Sequence, residues 1–261
     1  MRFIDLNSDV GESFGAFEKG CDRSVLGSVT SANIACGFHA GDPGVMKRTM
    51  TACKELGVHP GAHPGYPDMQ GFGRRDMAAS PEEIEDYVLY QTGALDAFAR
   101  AAGLALKHVK PHGALYNRAA KDEAAARAIA KAIYMYDPGL ILVGLANSKM
   151  IRIAAEMGLR VAAEGFADRA YMPDGSLVPR TVQGSVIHDE AEVVSRAVRM
   201  ASEGIVLGVD GTPIKLDIDT ICLHGDTEGA AVLARKIKEA ITAAGVGIAP
   251  LDSIIGGGIG K

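Results

Sequence analysis

Six short segments of the sequence combine carboxylate, imidazole and cationic side chains directly after an apolar run. They are Asn7 to Glu12, Cys36 to Asp42, His63 to Asp68, Lys110 to His112, Glu164 to Arg169, and His224 to Asp226. Carboxylates and imidazoles can transfer protons, whereas lysine and arginine can polarise a carbonyl group or hold an anion. If the fold brings these segments together, the sequence predicts one active site built from all of them.

The elements that carry these segments alternate between short apolar strands and longer helices. Strands are predicted at Phe3–Leu6, Val29–Ala35, Val58–Ala62, Ala105–Val109, Leu140–Leu145, Leu159–Ala163 and Ile221–Leu223, with Val246–Ala249 as a candidate eighth. Helices are predicted from Asp42 to Gly57, from Ser80 to Gly103, and over 122–136, 148–157, 190–203 and 228–243. This alternation favours a parallel α/β barrel, in which the carboxyl ends of all strands open on one face and build the active site there.

The chain of 261 residues fits a single barrel domain over residues 1–250. A β-hairpin insertion is predicted at about 205–216, because Asp210-Gly211 lies between two apolar stretches. Residues 251–261 are predicted to form a flexible C-terminal tail. Its glycine-rich sequence does not match a P-loop, because Ile255 stands where the first glycine is required.

Composition excludes several classes of protein. The 27 Lys and Arg residues against 32 Asp and Glu give a formal net charge of −5 without a basic cluster, so nucleic-acid binding is not indicated. No apolar stretch approaches the ~20 residues of a membrane-spanning helix, and the first residues do not resemble a signal peptide. The four cysteines show no C-x-x-C spacing, as is typical of reduced thiols. We therefore expect a cytoplasmic protein without membrane contact.

The first two segments and Lys110 to His112 supply candidate acid, base and cationic groups. Asp9 and Glu12 are candidate catalytic carboxylates that can act as a base or bind a cation, with capping of the next turn as the alternative. His39 and Asp42 flank a tight glycine turn; His39 is the catalytic candidate, and Asp42 is assigned either to substrate binding or to helix capping. Lys110 and His112 are separated by a proline, so alternation points both to the same side, where they can polarise a carbonyl group.

The last two segments supply candidate anion-binding and acid–base groups. Asp168 and Arg169 form either an ion pair or part of a substrate-binding site, because the planar fork of arginine suits a carboxylate or a phosphate. His224 and Asp226 follow the last predicted strand. His224 is the catalytic candidate, and Asp226 is assigned to substrate binding with helix capping as the alternative.

Longer motifs around these residues resemble a known family. The motifs are Asn7-Ser8-Asp9-Val10-Gly11-Glu12, Ala32-Asn33-Ile34-Ala35-Cys36-Gly37-Phe38-His39-Ala40-Gly41-Asp42, Gly61-Ala62-His63-Pro64-Gly65-Tyr66-Pro67-Asp68, Lys110-Pro111-His112-Gly113-Ala114-Leu115-Tyr116, Phe166-Ala167-Asp168-Arg169 and Cys222-Leu223-His224-Gly225-Asp226. In this order they resemble the LamB/YcsF family, the family of the A subunit of 5-oxoprolinase, over residues 2–250. The resemblance implies a distorted (β/α)7 barrel similar to the glycoside hydrolase/deacetylase superfamily. It also implies ATP-dependent opening of 5-oxo-L-proline to L-glutamate together with partner subunits B and C.

Within these motifs, the resemblance adds Asn7, Asn33, His63 and Glu164 as substrate-binding candidates. Opening a lactam requires activation of the carbonyl group, delivery of water and protonation of the ring nitrogen. Coupling to ATP requires a phosphate site as well, yet the chain has neither G-x-x-x-x-G-K-[ST] nor a G-x-G-x-x-G after a strand. We therefore expect ATP either at a non-standard site in this chain or on a partner subunit.

A divalent metal ion is a further expectation from the resemblance. The related deacetylases hold a metal with one Asp and two His, which implies Asp9, His39 and His63 as the candidate ligands here. His59 and His63 also have an H-x-x-x-H spacing, but a Pro-Gly pair interrupts that strand. Such a metal would polarise a carbonyl group or lower the pKa of a bound water.

Two other functions remain open from the sequence. The first is a stand-alone metal-dependent hydrolase of amides or N-acetyl sugars, which would turn over without ATP. The second is a non-catalytic subunit that binds the substrate and presents it to a partner. Aromatic residues that can form apolar walls or contact partner subunits, or simply pack in the core, are Tyr66, Phe72, Tyr116 and Tyr171. A homo-oligomer is also compatible with the sequence.

Overall fold

A computed structural model describes residues 1–20, 22–223 and 229–256. Its strands are β1 (Phe3–Val10), β2 (Ser31–Ala35), β3 (His59–His63), β4 (His108–Val109), β5 (Ile141–Leu145), β6 (Arg160–Phe166), β7 (Ile205–Leu207), β8 (Pro213–Lys215), β9 (Thr220–Cys222) and β10 (Gly247–Ile248). The strands β1, β2, β3, β4, β5, β6 and β9 pair side by side in parallel, and β9 pairs with β1 to close the ring. This closed seven-stranded barrel confirms the predicted (β/α)7 architecture.

Helices surround the barrel and connect its strands. They are α1 (Asp22–Leu26), α2 (Pro43–Leu56), α3 (Pro81–Ala101), α4 (Gly113–Ala119), α5 (Glu123–Tyr136), α6 (Lys149–Glu156), α7 (Glu190–Glu203), α8 (Ala230–Ala243) and α9 (Leu251–Ile255). Ser80 and Glu83 form a reciprocal capping box at the start of α3, as their spacing predicts. None of the helices in the described ranges combines the length and apolar character needed to cross a bilayer.

The strands β1 and β6 extend further than their apolar runs predict. Asn7 and Asp9 lie inside β1, paired with Ser31 and Asn33 of β2, and Glu164 lies inside β6. Alternation along a strand sends residues 5, 7 and 9 to the same face. Polar side chains therefore fill the barrel interior near the carboxyl ends of these strands. The apolar runs in the sequence alone predicted an interior of apolar side chains there.

The insertion and the C-terminal segment add to this barrel. β7 and β8 pair antiparallel as a hairpin within residues 205–216. The segment after residue 250, predicted as a flexible tail, instead begins with α9. Leu251 of α9 packs against Ile141 and Val143 at the base of the barrel, because the open lower end exposes apolar side chains that need a cover. Residues 257–261 lie outside the described residues.

Candidate active site

The candidate active site is a cavity of about 790 Å³ at the carboxyl ends of the barrel strands. Its lining includes Asp9 of β1, His63 of β3, Lys110 after β4 and Arg169 after β6. Glu12 and His112 also line it. These residues belong to four of the six polar segments, and His39 of a fifth segment stacks on His112. The parallel barrel thus brings five of the six segments together.

A cluster of one carboxylate and three imidazoles forms one end of the cavity. Glu12, His39, His63 and His112 each offer one oxygen or nitrogen atom, and these atoms lie within 4.8 Å of one another. Glu12 Oε1 is 3.8 Å from both His39 Nε2 and His112 Nδ1, and His112 Nδ1 is 2.9 Å from His63 Nε2. We call these four residues the histidine cluster.

Backbone carbonyl groups orient two of these imidazoles. His63 Nδ1 is 2.6 Å from the carbonyl oxygen of Lys110, and His112 Nε2 is 2.8 Å from that of Phe72. Each carbonyl accepts a hydrogen bond and so fixes one ring nitrogen as the N–H donor. The other ring nitrogen then faces the cluster with its lone pair available. Phe72 has a left-handed backbone with φ of 55°, which an L-residue adopts only where its surroundings require it.

The histidine cluster is suited to a divalent metal ion. Neither ring nitrogen of His39 has a hydrogen-bond partner among the described residues, although the side chain is fully buried. Burial, followed by the neighbouring imidazoles, lowers the pKa of His39 and His112 well below the usual value. Neutral imidazoles with one carboxylate are the donor set that zinc and similar ions bind. The residues present therefore fit the divalent metal ion that the sequence resemblance implied.

The candidate ligand set differs in part from the one that the resemblance implied. His39 and His63 belong to the cluster, whereas Asp9 lies beside it. Asp9 Oδ2 is 3.3 Å from His63 Nε2, and Asp9 Oδ1 is 2.9 Å from Lys110 Nζ. Glu12 and His112, which the sequence assigned to catalysis, complete the four-residue set.

Lys110 lies at the centre of a buried polar network. Its ammonium group is 2.9 Å from Asp9, 2.8 Å from Glu164 and 3.2 Å from the Cys222 thiol. Burial opposes the charge, but the attraction of Asp9 and Glu164 outweighs it and raises the pKa of Lys110 well above its ordinary value. Lys110 is therefore a permanent cation at neutral pH rather than a base.

Three residues predicted to bind substrate are instead packed inside this network. Asn7 Nδ2 donates to Glu164 and to Thr220, and Asn33 Nδ2 donates to Asn7 and Asp9. Asn7, Asn33 and Glu164 are buried and do not line the cavity. The hydroxyl of Tyr116, which does line it, donates to Glu164 at 2.7 Å. These side chains hold Lys110 and Asp9 in place from below.

Of the remaining predicted site residues, two do not line the cavity and two lie outside the described residues. Asp42 caps α2 by accepting the Val45 amide, and it does not line the cavity, because its helix-capping role holds it at the end of α2. Asp168 is half-buried next to Arg169 and is also absent from the lining. His224 and Asp226 lie outside the described residues.

Several contacts at the site were not predicted from the sequence. Cys222 contacts Lys110, Phe72 accepts a hydrogen bond from His112 through its carbonyl, and Thr220 accepts one from Asn7. One signal was readable: Asp5, Asn7 and Asp9 are polar at alternate positions of a strand that must be central. Alternate polar residues in a buried strand indicate a hydrogen-bonded barrel interior.

Comparison with known proteins gives the family. The model of the LamB/YcsF family matches residues 4–256. The chain belongs to the LamB/YcsF family. A relative from Pyrococcus abyssi, named as the A subunit of 5-oxoprolinase, is 53% identical over 97% of this chain and 99% of its own length. The crystal structure of a lactam utilization protein from Thermus thermophilus is 50% identical, with a TM-score of 0.89, and covers 95% of this chain and 99% of that one.

The barrel of this LamB/YcsF member also resembles more distant proteins. A T48 deacetylase solved with substrate has a TM-score of 0.50 at 16% identity, covering 98% of this chain and 92% of that chain. At this identity the likeness concerns the fold alone, because one barrel architecture hosts many chemistries. It agrees with the deacetylase-like barrel that the sequence motifs implied.

Proposed function

We propose that this chain is the A subunit of an ATP-dependent 5-oxoprolinase, which opens the lactam of 5-oxo-L-proline to L-glutamate together with partner subunits B and C. The observation that carries the proposal is the convergence of Asp9, Lys110 and the histidine cluster on one cavity. The name of the Pyrococcus abyssi relative supports the same reaction. Such a set suits a resonance-stabilised amide, which needs acid–base and electrostatic help to open.

Asp9 is proposed as the general base of lactam opening. In this reaction water adds to the ring carbonyl carbon, the C–N bond breaks, and the nitrogen leaves with a proton. The Asp9 carboxylate lines the cavity and is held between Lys110 and His63 at 2.9 and 3.3 Å. In this role it takes a proton from the attacking water and returns it to the departing nitrogen.

Lys110 and the histidine cluster are proposed to stabilise the charge that develops on the carbonyl oxygen. A buried ammonium group acts strongly there because little water screens it. A divalent metal ion held by Glu12, His39, His63 and His112 would supply Lewis acidity at the same end of the cavity. The carbonyl groups of Lys110 and Phe72 orient two of these imidazoles in advance.

ATP and the partner subunits are also part of the proposal. The sequence has no P-loop, so we propose that the nucleotide is shared with, or supplied by, the B and C subunits. Residence in the cytoplasm and assembly into a homo-oligomer stay predictions from the sequence.

Replacement of His112 tests the proposed site. We expect His112→Ala to abolish glutamate release by the assembled complex with little loss of folded structure, because His112 faces the cavity at the top of the barrel. His188→Ala is the matched control, since His188 lies outside the cavity lining and away from the histidine cluster. Activity of the His112 variant equal to that of the control would remove His112 from the mechanism.

Metal content tests the histidine cluster separately. The purified chain, loaded with Zn²⁺ and dialysed, is expected to retain about one ion per chain by elemental analysis. His39→Gln should release it, whereas His188→Gln should not. Equal zinc content in both variants, or none in the wild type, would contradict the proposed ligands.

A stand-alone metal-dependent amide hydrolase is the second candidate function. The observation in its favour is the same histidine cluster, because its carboxylate and imidazoles could hold a catalytic metal ion without any partner. This function predicts turnover by the chain alone without ATP. The two candidates therefore separate in a single assay with and without the nucleotide and the partner subunits.

A further inference from the structure

A row of four residues crosses the barrel interior in register. Asp9 of β1 pairs with Asn33 of β2. Asn33 pairs in turn with Gly61 of β3, and Gly61 with His108 of β4. We call these four residues the interior row, because residues at one level of a parallel barrel form a layer inside it. Asp9 is the proposed general base, whereas His108 lies three strands away and does not line the cavity.

Gly61 lets His108 reach Asn33 across the strand between them. An ideal Cβ atom at Gly61 would lie 2.3 Å from both Nε2 and Cδ2 of His108, so the imidazole occupies the place of the missing side chain. From there His108 Nε2 is 2.8 Å from Asn33 Oδ1. His108 is only 1% exposed, so water does not compete for this contact. The contact therefore depends on glycine at position 61.

Neighbouring groups fix the direction of the Asn33 amide. Its nitrogen is 2.8 Å from Asp9 Oδ1 and 2.7 Å from Asn7 Oδ1. The Asn7 amide is itself fixed, because its nitrogen donates to the carboxylate of Glu164 at 3.1 Å. A flipped Asn33 amide would place its oxygen against two other oxygens, which only accept hydrogen bonds. The Asn33 nitrogen must therefore face Asp9, and its oxygen must face His108.

This direction requires a hydrogen atom on Nε2 of His108. Burial, and in smaller measure the charge of Lys110, lowers the pKa of His108 to about 3, so the ring is neutral and carries one N–H. Nδ1 has no hydrogen-bond partner among the described residues, whereas Nε2 faces the Asn33 oxygen. A hydrogen on Nδ1 instead would leave two lone pairs facing each other in a buried place, which is unfavourable.

The Asn33 amide is one of two donors that hold Asp9. Asp9 Oδ1 is 2.8 Å from Asn33 Nδ2 and 2.9 Å from Lys110 Nζ. A lysine ammonium group is a point charge, so it does not by itself fix the plane of a carboxylate. The amide supplies the second point of attachment. With both donors on Oδ1, the other oxygen of Asp9 is the one that takes the proton from water.

We propose that His108 is a positioning residue for the lactam-opening reaction. Its Nε2–H holds the oxygen of the Asn33 amide, and the nitrogen of that amide then holds Asp9 in the orientation of a general base. His108 acts through Asn33, because it does not line the cavity. The proposal rests on the proposed function in one respect, namely that Asp9 is the base of that reaction.

Two substitutions of His108 separate the hydrogen bond from packing. His108→Phe keeps a ring of similar size but removes the N–H, whereas His108→Gln loses the ring and keeps a nitrogen donor that can take the place of Nε2. We expect kcat for glutamate release by the assembled complex to fall about tenfold to a hundredfold in the Phe variant, because misplaced catalytic groups cost about this much. KM should change by less than about twofold, because the cavity lining is intact. The Gln variant should recover most of the activity.

A role in packing alone predicts the reverse order, with the Phe variant more active than the Gln variant. That order, or wild-type kcat in a folded Phe variant, would overturn the proposal. His59→Phe is the matched control, because His59 is bonded to Asp252 at 2.6 Å near the base of the barrel and is not in the interior row. Its kcat should equal that of the wild type. A loss of kcat in this control as large as in His108→Phe would also overturn the proposal.

NMR of the metal-free full chain with ¹⁵N-labelled histidine tests the position of the hydrogen without any assay of activity. The His108 signals are identified by their absence from the spectrum of either His108 variant. We expect the hydrogen on Nε2. A hydrogen on Nδ1 would overturn the positioning role, and glutamate release by the wild-type complex would then leave the proposed function standing. No release by the wild-type complex would overturn the proposed function and the catalytic part of this role, whereas the NMR result would still decide how His108 holds Asn33.

Discussion

At the scale of single residues, the site depends on a cation that is kept charged inside the protein. Lys110 is buried between Asp9 and Glu164, and Glu164 is itself 0% exposed. A buried charge is tolerated only where opposite charge and hydrogen bonds replace water. Asn7 and Tyr116 supply the remaining hydrogen bonds to Glu164. Lys110 and Asp9 are thus held at the cavity by a buried hydrogen-bond network.

Glu164→Gln should destabilise the chain and reduce activity together. The substitution keeps the shape of the side chain but removes one of the two carboxylates that compensate Lys110, at a cost of roughly 3 kcal/mol. Urea denaturation gives the change in the free energy of unfolding. Glu156→Gln, which breaks the exposed pair with Arg152, is the control and should change it by less than about 0.5 kcal/mol. Equal effects of the two substitutions would show that Lys110 does not depend on Glu164.

The sequence predicted the residues that line the cavity better than the residues that hold them. Asp9, Glu12, His63, Lys110, His112 and Arg169 line the cavity, and all six were singled out by their position after a strand. Asn7, Asn33 and Glu164 carry the same polar chemistry, but they are buried and do not line the cavity. Depth along the strand separates Asn7 from Asp9, which lies on the same face of β1 but nearer its carboxyl end, and a single sequence places strand ends imprecisely.

At the scale of the elements, the loop after β3 determines the positions of two imidazoles. Gly73 in this loop has φ of +63°, and a Cβ atom there would lie 2.7 Å from His39 Cβ and 2.8 Å from His112 Cδ2. These distances are shorter than carbon atoms tolerate, so only glycine lets the loop close over the stacked rings. The neighbouring Phe72 carbonyl then reaches His112.

Gly73→Ala should therefore abolish zinc retention and activity. Gly57→Ala is the matched control, because Gly57 has a similar φ of +69° at the end of α2 but meets nothing within 4 Å. Each variant should lose roughly 1–2 kcal/mol of stability from left-handed backbone strain. Only the Gly73 variant should also displace His39 and His112. Zinc retention by both variants would contradict the packing of this loop on the histidine cluster.

The helices were predictable because their ends carry local chemistry. Asp42 before Pro43 and Ser80 before Pro81 cap α2 and α3 as their sequences indicate. The short helix α4, directly after His112, was not predicted, and its N-terminal His112 makes no capping hydrogen bond from its side chain. Its position depends on long-range packing, including the hydrogen bond from the Ala114 amide to the carbonyl of Gly73. Such contacts leave no local signal.

At the scale of the whole molecule, the barrel closes around a buried carboxyl group. Asp5 accepts hydrogen bonds from Ser31 of β2 at 2.6 Å and from Thr220 of β9 at 2.5 Å, on the two strands that flank β1. Burial raises the pKa of Asp5 to about 6 against three hydrogen bonds that lower it. Asp5 therefore links β1 to both neighbouring strands where the barrel closes. It also titrates in a pH range where exposed carboxyl groups are already ionised.

The stability of the barrel should depend on pH through Asp5. Between its ordinary pKa of 3.8 and about 6, the folded chain keeps a proton that the unfolded chain releases, so this contribution to stability falls as the pH rises. Relative to Asp5→Asn, the wild type should lose roughly 2 kcal/mol between pH 4 and pH 7. Urea unfolding of both proteins at the two pH values measures this. A difference between them that does not change with pH would show that Asp5 does not titrate in this range.

The central claim concerns what the assembled protein does. The decisive measurement is glutamate release from 5-oxo-L-proline, with and without ATP, by this chain alone and by the chain with the B and C subunits. We expect release only when ATP and both partner subunits are present. Release by the chain alone without ATP would contradict this account and would assign the histidine cluster to a stand-alone amide hydrolase.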